Sequence, residues 1–304
     1  MSELRNAVVT GANGLIGRTL VDLLIDSGVN TVAIDKGQPV TKAAESVVLD
    51  LCRSSDISPW IDSETTLFHL AASANVRMSV EDPRYDFDNT LTAFIGVLEC
   101  ARRANAQVIF PSTASVFDPD APLPLTERAA KLPSSPYAAA KLAGEGYCFA
   151  YHRSYGLDVR IARMFSVYGP GMTRLAIHDI VRKLHLNSKK VEILGDGTQI
   201  RDYLHARDAA RGLIRVACCG AAGEDYNLAS GIPVTLLELT GMIAQLMGCG
   251  DVSITPTGTV FAGDTARWYA SIAKIRAIGF EPSISLRAGL KETIDSLLSS
   301  GVIA

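Results

Sequence analysis

Tyr137 and Lys141 stand four residues apart in the run Ser135-Pro136-Tyr137-Ala138-Ala139-Ala140-Lys141. Pro136 suits the first turn of a helix and the alanines propagate it. The spacing therefore predicts a helix with both side chains on one face, one turn apart. A phenol with its ordinary pKa near ~10 is a poor base at neutral pH. An ammonium one turn away favours the phenolate, so the pair reads as a tuned acid/base made from two ordinary residues. A lone Tyr-x-x-x-Lys is common on helix surfaces, and its meaning depends on what the chain brings near it.

A second chemical signal lies close to the N-terminus. Thr10-Gly11-Ala12-Asn13-Gly14-Leu15-Ile16-Gly17 follows a short apolar run and opens a helical stretch. Glycines at i, i+3 and i+6 allow a tight turn and close backbone approach. The helix start then offers free N–H groups and partial positive charge to a pyrophosphate. Asp35 ends the next apolar run, about 20 residues on, where a carboxylate accepts from both hydroxyls of a ribose. A carboxylate there repels a 2′-phosphate, so NAD is favoured over NADP, with Lys36 as its neighbour in the site. Gly11, Asn13, Gly14, Leu15, Ile16, Gly17, Asp35 and Lys36 are thus expected to bind the cofactor. An oxidised nicotinamide would add positive charge beside Tyr137.

These residues need a frame. Short apolar runs at 7–10, 31–34, 47–49, 67–70, 108–110 and 159–162 alternate with segments of helical period, the first at 15–27. Strands this short and apolar on both faces suit a covered parallel sheet. Strand–helix alternation implies right-handed crossovers and an α/β fold, a Rossmann-type doubly wound parallel sheet. The alternation holds to about residue 168 and then loosens around Gly169-Pro170-Gly171 and Gly195-Asp196-Gly197. Residues 1–168 are expected to form the NAD-binding domain, with segments at about 205–230 returning to it. Residues 169–304 are expected to form a smaller, mainly substrate-binding region.

Composition excludes several classes. The chain has 304 residues, 29 Lys and Arg against 32 Asp and Glu, and a formal net charge of −3. A nucleic-acid binder held by bulk positive charge is excluded. No stretch approaches the ~20 apolar residues of a membrane helix, and no secretory leader pattern precedes the first strand. The six cysteines, Cys52, Cys100, Cys148, Cys218, Cys219 and Cys249, form no Cys-x-x-Cys pair. They read as small buried hydrophobes in a reducing compartment, with no metal site, and a cytoplasmic location is expected.

The chain resembles the extended short-chain dehydrogenase/reductase family, the nucleotide-sugar epimerases and dehydratases. The resemblance spans almost the whole sequence and rests on six motifs in family order. These are residues 10–17, His69-Leu70-Ala71-Ala72, Pro111-Ser112-Thr113-Ala114-Ser115-Val116-Phe117, Tyr137 with Lys141, Val167-Tyr168-Gly169-Pro170, and the run at 195–205. It implies that Thr113 bonds the reacting sugar hydroxyl, that Tyr137 is the catalytic base and that Lys141 is its electrostatic and ribose-binding partner. Asp50 would cap the adenine amine, with Leu51 beside it. Leu70, Ala71, Ala72, Asn89, Ser112 and Met164 would complete the cofactor contacts. Ser73, Ala114, Ser115, Ser166 and Arg201 would meet the substrate, Arg201 at its diphosphate, where Arg donates bidentately.

Family 4,6-dehydratases resemble Thr-Asp-Glu where this chain has Thr113, Ala114 and Ser115. Neither Ala114 nor Ser115 transfers a proton near neutrality, so the pattern resembles the 4-epimerases. Hydride would leave C4 for NAD, the 4-keto sugar would turn, and hydride would return to the other face, leaving NAD bound. A ketoreductase using external NAD(P)H, or a non-catalytic NAD-binding protein, are the competing readings. Departures from the family concern the substrate. Ser166 stands where an Asn is usual, and Phe261 where an Arg precedes Ala262-Gly263-Asp264, with Arg267 as a substitute contact. Trp268 falls where family members gate sugar size. Helices around 83–103 and 136–154 match those that pair two subunits in the family, so a homodimer is expected.

Overall fold

The computed structural model describes residues 4–38, 43–259 and 265–300. The chain runs through β1 (Asn6–Thr10), α1 (Leu15–Asp26), β2 (Asn30–Asp35), β3 (Glu45–Val48), β4 (Thr65–His69), α2 (Val76–Glu81), α3 (Pro83–Phe87), α4 (Ala93–Ala104), β5 (Gln107–Thr113), α5 (Pro136–Tyr155) and β6 (Val159–Met164). It continues through β7 (Ser166–Tyr168), α6 (Leu175–Leu186), β8 (Lys190–Ile193), β9 (Ile200–His205), α7 (Ala206–Cys219), β10 (Asp225–Leu228), β11 (Pro233–Thr235), α8 (Leu236–Leu246), β12 (Ser253–Pro256), α9 (Ala273–Ala277) and α10 (Leu286–Ser299).

Seven strands form one sheet in the order β10-β6-β5-β4-β1-β2-β3, every pairing parallel. This is the expected Rossmann-type doubly wound arrangement. Its strands lack a polar face because helices cover both sides. Successive residues of β1 fall into different cores. Val9 packs with Leu20, Leu24, Leu213 and Val216 of α1 and α7. Val8 packs with Phe94, Val97, Leu98 and Cys148 of α4 and α5. From β1 the chain steps outward to β2 and β3, then crosses back to β4. The crevice beyond the C-terminal ends of β1 and β4 is therefore the switch point where ligands bind in such sheets.

Local chemistry fixes the helices that matter. Ser135 caps α5 by accepting from the Ala138 N–H, Pro136 opens it, and Gly156 ends it with φ 69°. The stretch at 83–103 is α3 and α4 joined by a π-helical turn, Asp88–Thr92. A smaller assembly follows β6. It holds the sheet β11-β9-β7 and the pair β12-β8, covered by α6, α8 and α10 around Ile180, Val181, Leu239, Ile243, Leu290 and Ile294. Asp202 in β9 is fully buried and accepts from the N–H groups of Ser230, Gly231 and Ala270 and from the Ser230 hydroxyl, so it ties this part together. His205 caps α7 through its Nδ1, in keeping with a structural role. No helix among the described residues is long and apolar enough to cross a membrane.

Candidate active site

The glycine turn after β1 is shaped by what cannot fit there. Gly11 has φ 70°, and a Cβ on it would stand 2.7 Å from the Ala71 nitrogen. A Cβ on Gly17 would stand 2.2 Å from the Gly11 oxygen. Both positions exclude any side chain, so the turn lies close against the residues after β4 and against its own helix. α1 starts at Leu15 behind Gly14, which offers no side-chain cap to the first-turn N–H groups. Asp35 accepts from the Asn13 N–H at 2.9 Å and from the Gly37 N–H at 3.1 Å. That uses two of the roughly four acceptor positions of a carboxylate and leaves the others for hydroxyl donors. A Cβ-free cradle, an uncapped helix start and a carboxylate one strand away fit a dinucleotide.

Thr113, Tyr137 and Lys141 meet at the end of β5. The Tyr137 hydroxyl faces Thr113, whose own hydroxyl donates to the Ser115 hydroxyl at 3.2 Å and accepts from the Ser115 N–H at 3.2 Å. The Lys141 ammonium donates to the Pro111 carbonyl at 2.8 Å and sits 4.7 Å from the Phe110 ring centroid. The sequence predicts a phenol lowered by the ammonium, and here the balance goes the other way. Burial pushes the Tyr137 pKa up to about 12; the Thr113 hydroxyl and the Arg174 charge lower it, and the Asp86 charge adds to the rise. Burial also lowers Lys141 to about 8, against the raising charges of Cys148, Asp86 and Glu145. Desolvation sets both directions, and neither group is among the other's influences. Asp86 on α3 is itself buried, and burial raises its carboxyl despite the nearby Ser73 and Lys141.

A cavity of about 740 Å³ joins the turn to these side chains, a size suited to a cofactor-scale ligand. Every expected cofactor residue lines it: Gly11, Asn13, Gly14, Leu15, Ile16, Gly17, Asp35, Lys36, Asp50, Leu51, Leu70, Ala71, Ala72, Asn89, Ser112, Tyr137, Lys141 and Met164, together with Thr113. Asn89 turns its amide to the Tyr85 carbonyl, while Thr90 is buried and accepts from the Ser73 N–H.

The expected substrate residues other than Thr113 lie off this lining. Ala114 and Ser115 are buried in a short 3-10 turn behind Thr113. Ser166, Arg201 and Arg267 gather around Trp268. Its indole N–H donates to the Ser166 hydroxyl at 3.4 Å, and the Arg201 guanidinium sits 4.4 Å from its ring centroid. Arg201 also donates to the Ala266 carbonyl, and residue 267 bridges to Ile200. Phe261 and residues 262–264 lie outside the described residues.

Sequence reasoning missed Arg18 and the rim at residues 171–175, which also line the cavity. Arg18 donates to the Gly171 carbonyl at 3.1 Å, and Arg174 acts on Tyr137. It also missed Glu145 and Arg163 beneath the site. The spacing of Glu145, four residues past Lys141 on the same helix face, was the available signal.

Comparison with known proteins follows the same lines. The sequence profile of the NAD dependent epimerase/dehydratase family matches residues 7–229. A UDP-glucose 4-epimerase of Mycolicibacterium smegmatis is 28% identical over 309 residues, covering 95% of this chain and 97% of that protein. A dTDP-glucose 4,6-dehydratase of an Actinoplanes species is 29% identical, covering 94% of this chain and 96% of that one. The solved UDP-glucuronic acid 4-epimerase of Bacillus cereus, in complex with UDP-glucuronic acid and NAD, superposes with a TM-score of 0.87 at 27% identity, over 97% of this chain and 99% of that one.

Proposed function

The chain belongs to the NAD dependent epimerase/dehydratase family, and from that premise we propose that it inverts C4 of a nucleotide-diphosphate sugar through a transient 4-keto sugar, with NAD retained. The observation that carries this reading is the meeting of Thr113, Tyr137 and Lys141 on the cavity walled by the glycine turn. NAD, when bound, supplies a reversible hydride acceptor for one sugar carbon. The turn at residues 11–17 would hold its pyrophosphate, Asp35 and Lys36 its adenosine ribose, and Asp50 and Leu51 its adenine end. Leu70, Ala71, Ala72, Asn89, Ser112 and Met164 would line the remainder, with Lys141 on the second ribose.

Tyr137 takes the proton of the C4 hydroxyl and returns it when the ketone is reduced. Burial holds its phenol near 12, so it needs added positive charge to act as a base. The Arg174 charge is already counted in that value, so the further lowering would come from an oxidised nicotinamide when bound. Thr113 holds the same oxygen as its charge changes. A dehydratase would need an acid and a base beyond this point; Ala114 and Ser115 supply neither, which favours epimerisation. Ser73, Ala114, Ser115, Ser166, Arg201 and Arg267 are assigned to the sugar and diphosphate. In this reading residues 1–168 with about 205–230 serve the cofactor, and 169–304 mainly the substrate.

The working unit is a homodimer through α4 and α5. Exposed Tyr147 and Tyr155 on α5, and Arg102 of α4 at 5.0 Å from the Tyr155 ring centroid, support that face. The six cysteines, none of them in a disulfide, support a cytoplasmic location. Incubation with a panel of nucleotide sugars, followed by NMR, tests the activity. Interconversion of C4 epimers with tightly bound dinucleotide is expected. Stoichiometric consumption of added reduced cofactor by a keto sugar would replace the epimerase with a ketoreductase.

A further inference from the structure

Below the catalytic pair, α5 carries a third buried polar residue in step with it. Tyr137, Lys141 and Glu145 recur every four residues and share one helix face. Each is held by a different residue at the end of β5. Tyr137 faces Thr113, Lys141 donates to the Pro111 carbonyl, and Glu145 accepts from the Ser112 hydroxyl at 2.5 Å. Three successive turns of the helix are therefore set against the last three residues of the strand, two of them by hydrogen bonds.

The lowest rung is the most strongly fixed. Glu145 is 1% exposed and Arg163 fully buried. Arg163 grips Glu145 with two hydrogen bonds, Nε to Oε1 at 2.8 Å and Nη2 to Oε2 at 2.7 Å. Ser112 and Arg163 are direct register partners across β5 and β6, so the carboxylate sits over one cross-strand pair. Arg163 also pairs with Asp225 and donates to the Glu127 carbonyl, which anchors the rung to β10. The bidentate geometry sets direction as well as distance.

We propose that Glu145, clamped between Ser112 and Arg163, is a positioning residue that fixes the height and rotation of α5 so that Tyr137 meets Thr113 and Lys141 meets Pro111. The proposal rests on the reading that Tyr137 and Lys141 carry the chemistry. It has an electrostatic side too. The charged or titratable groups around Lys141 are Asp86 from α3, His69 from β4, and Glu145 and Cys148 from its own helix. Glu145 is one of the charges that oppose the effect of burial on the Lys141 ammonium. Lys131 also faces Glu145 from the loop before α5.

Two variants test this. Ser112→Ala removes one rung and keeps the Glu145–Arg163 pair. Its kcat should fall between tenfold and a hundredfold, the scale of a small misplacement of reacting groups. Because Ser112 also lines the cofactor cavity, kcat is read with the dinucleotide site filled by added NAD, and the fall in kcat should persist there with KM for the nucleotide sugar as in the parent. Glu145→Gln keeps an acceptor for Ser112 and removes the charge. The NMR titration midpoint of the Lys141 side chain, assigned with Lys141→Met, should move to lower pH. A parental kcat in Ser112→Ala, a kcat loss that added NAD restores in full, or an unmoved Lys141 midpoint in folded Glu145→Gln each overturns the proposal. Should Glu145→Gln not fold, Ser112→Ala decides alone. Should the parent epimerise no nucleotide sugar, the functional reading falls, and the Lys141 midpoint still decides whether Glu145 governs that ammonium.

Discussion

The two sides of the cleft are built in different ways. The dinucleotide wall comes from strand ends. The turn after β1, Asp35 at the end of β2, Asp50 just past β3, the residues after β4 and Ser112 and Thr113 of β5 all converge because parallel strands end on one edge. The residues proposed for the substrate, Ser166, Arg201 and Arg267, lie off that cavity and come from short pieces of distant sequence brought near Trp268 by strand pairing. The first wall follows from topology once the sheet is known. The second depends on contacts that no local pattern encodes. Ser166 already accepts from the indole and Arg201 donates to the Ile200 and Ala266 carbonyls, so a substrate diphosphate would compete with those bonds.

Substitutions on the two sides should separate accordingly. The largest effect is expected for Gly17→Ala, whose Cβ would stand 2.2 Å from backbone oxygen. Dinucleotide content of the purified protein should drop to background and turnover should vanish with it. Full retention of cofactor would break the contrast. Tyr137→Phe comes next: turnover should fall on the order of 10²–10⁴-fold while cofactor stays bound, as absorbance of the released dinucleotide would record. Arg201→Ala should leave cofactor content intact and raise KM for the nucleotide sugar roughly ten- to a hundredfold, the scale of lost charge-assisted hydrogen bonds. An unchanged KM would remove Arg201 from the substrate side.

Smaller effects sharpen the same contrast. Lys141 titrates near 8 because burial lowers it. Its ammonium is present below that value and lost above it, so turnover should decline as pH rises through about 8. Cofactor held by backbone N–H groups should not be released over the same range. A pH profile with parallel loss of both would contradict this. Asp35→Ala should weaken NAD binding about tenfold and relax discrimination against NADP, the expected scale for one carboxylate serving ribose hydroxyls. Equal NAD and NADP affinities in the parent would end that assignment.

The sheet was legible because its strands are short, apolar runs separated by helical period, and the residues of β1 fill both cores as such a pattern demands. The Tyr137–Lys141 face was legible from spacing alone. The titration behaviour was not. Two opposite effects act on Tyr137, and only depth of burial decides between them. Asn89 lines the cavity with its amide donated to the Tyr85 carbonyl, while Thr90 in the same π-helical turn, Asp88–Thr92, is buried, and no composition signal marks that turn. Arg18 and Gly171 lie 153 positions apart and touch through one hydrogen bond. Arg163 finds Asp225 only because β10 docks beside β6.

That docking of β10 has a consequence for how such a chain can be cut or combined. The strand arrives after β7, α6, β8 and β9 have been laid down elsewhere, so the two halves of the molecule are threaded through each other. A fragment ending at residue 168 would leave β6 as an open edge inviting foreign strands. It would also take Asp225 from Arg163 and leave that guanidinium paired with the Glu145 carboxylate alone. The seven-stranded sheet therefore cannot be detached as one contiguous segment, because β10 reaches it only after β9 and α7.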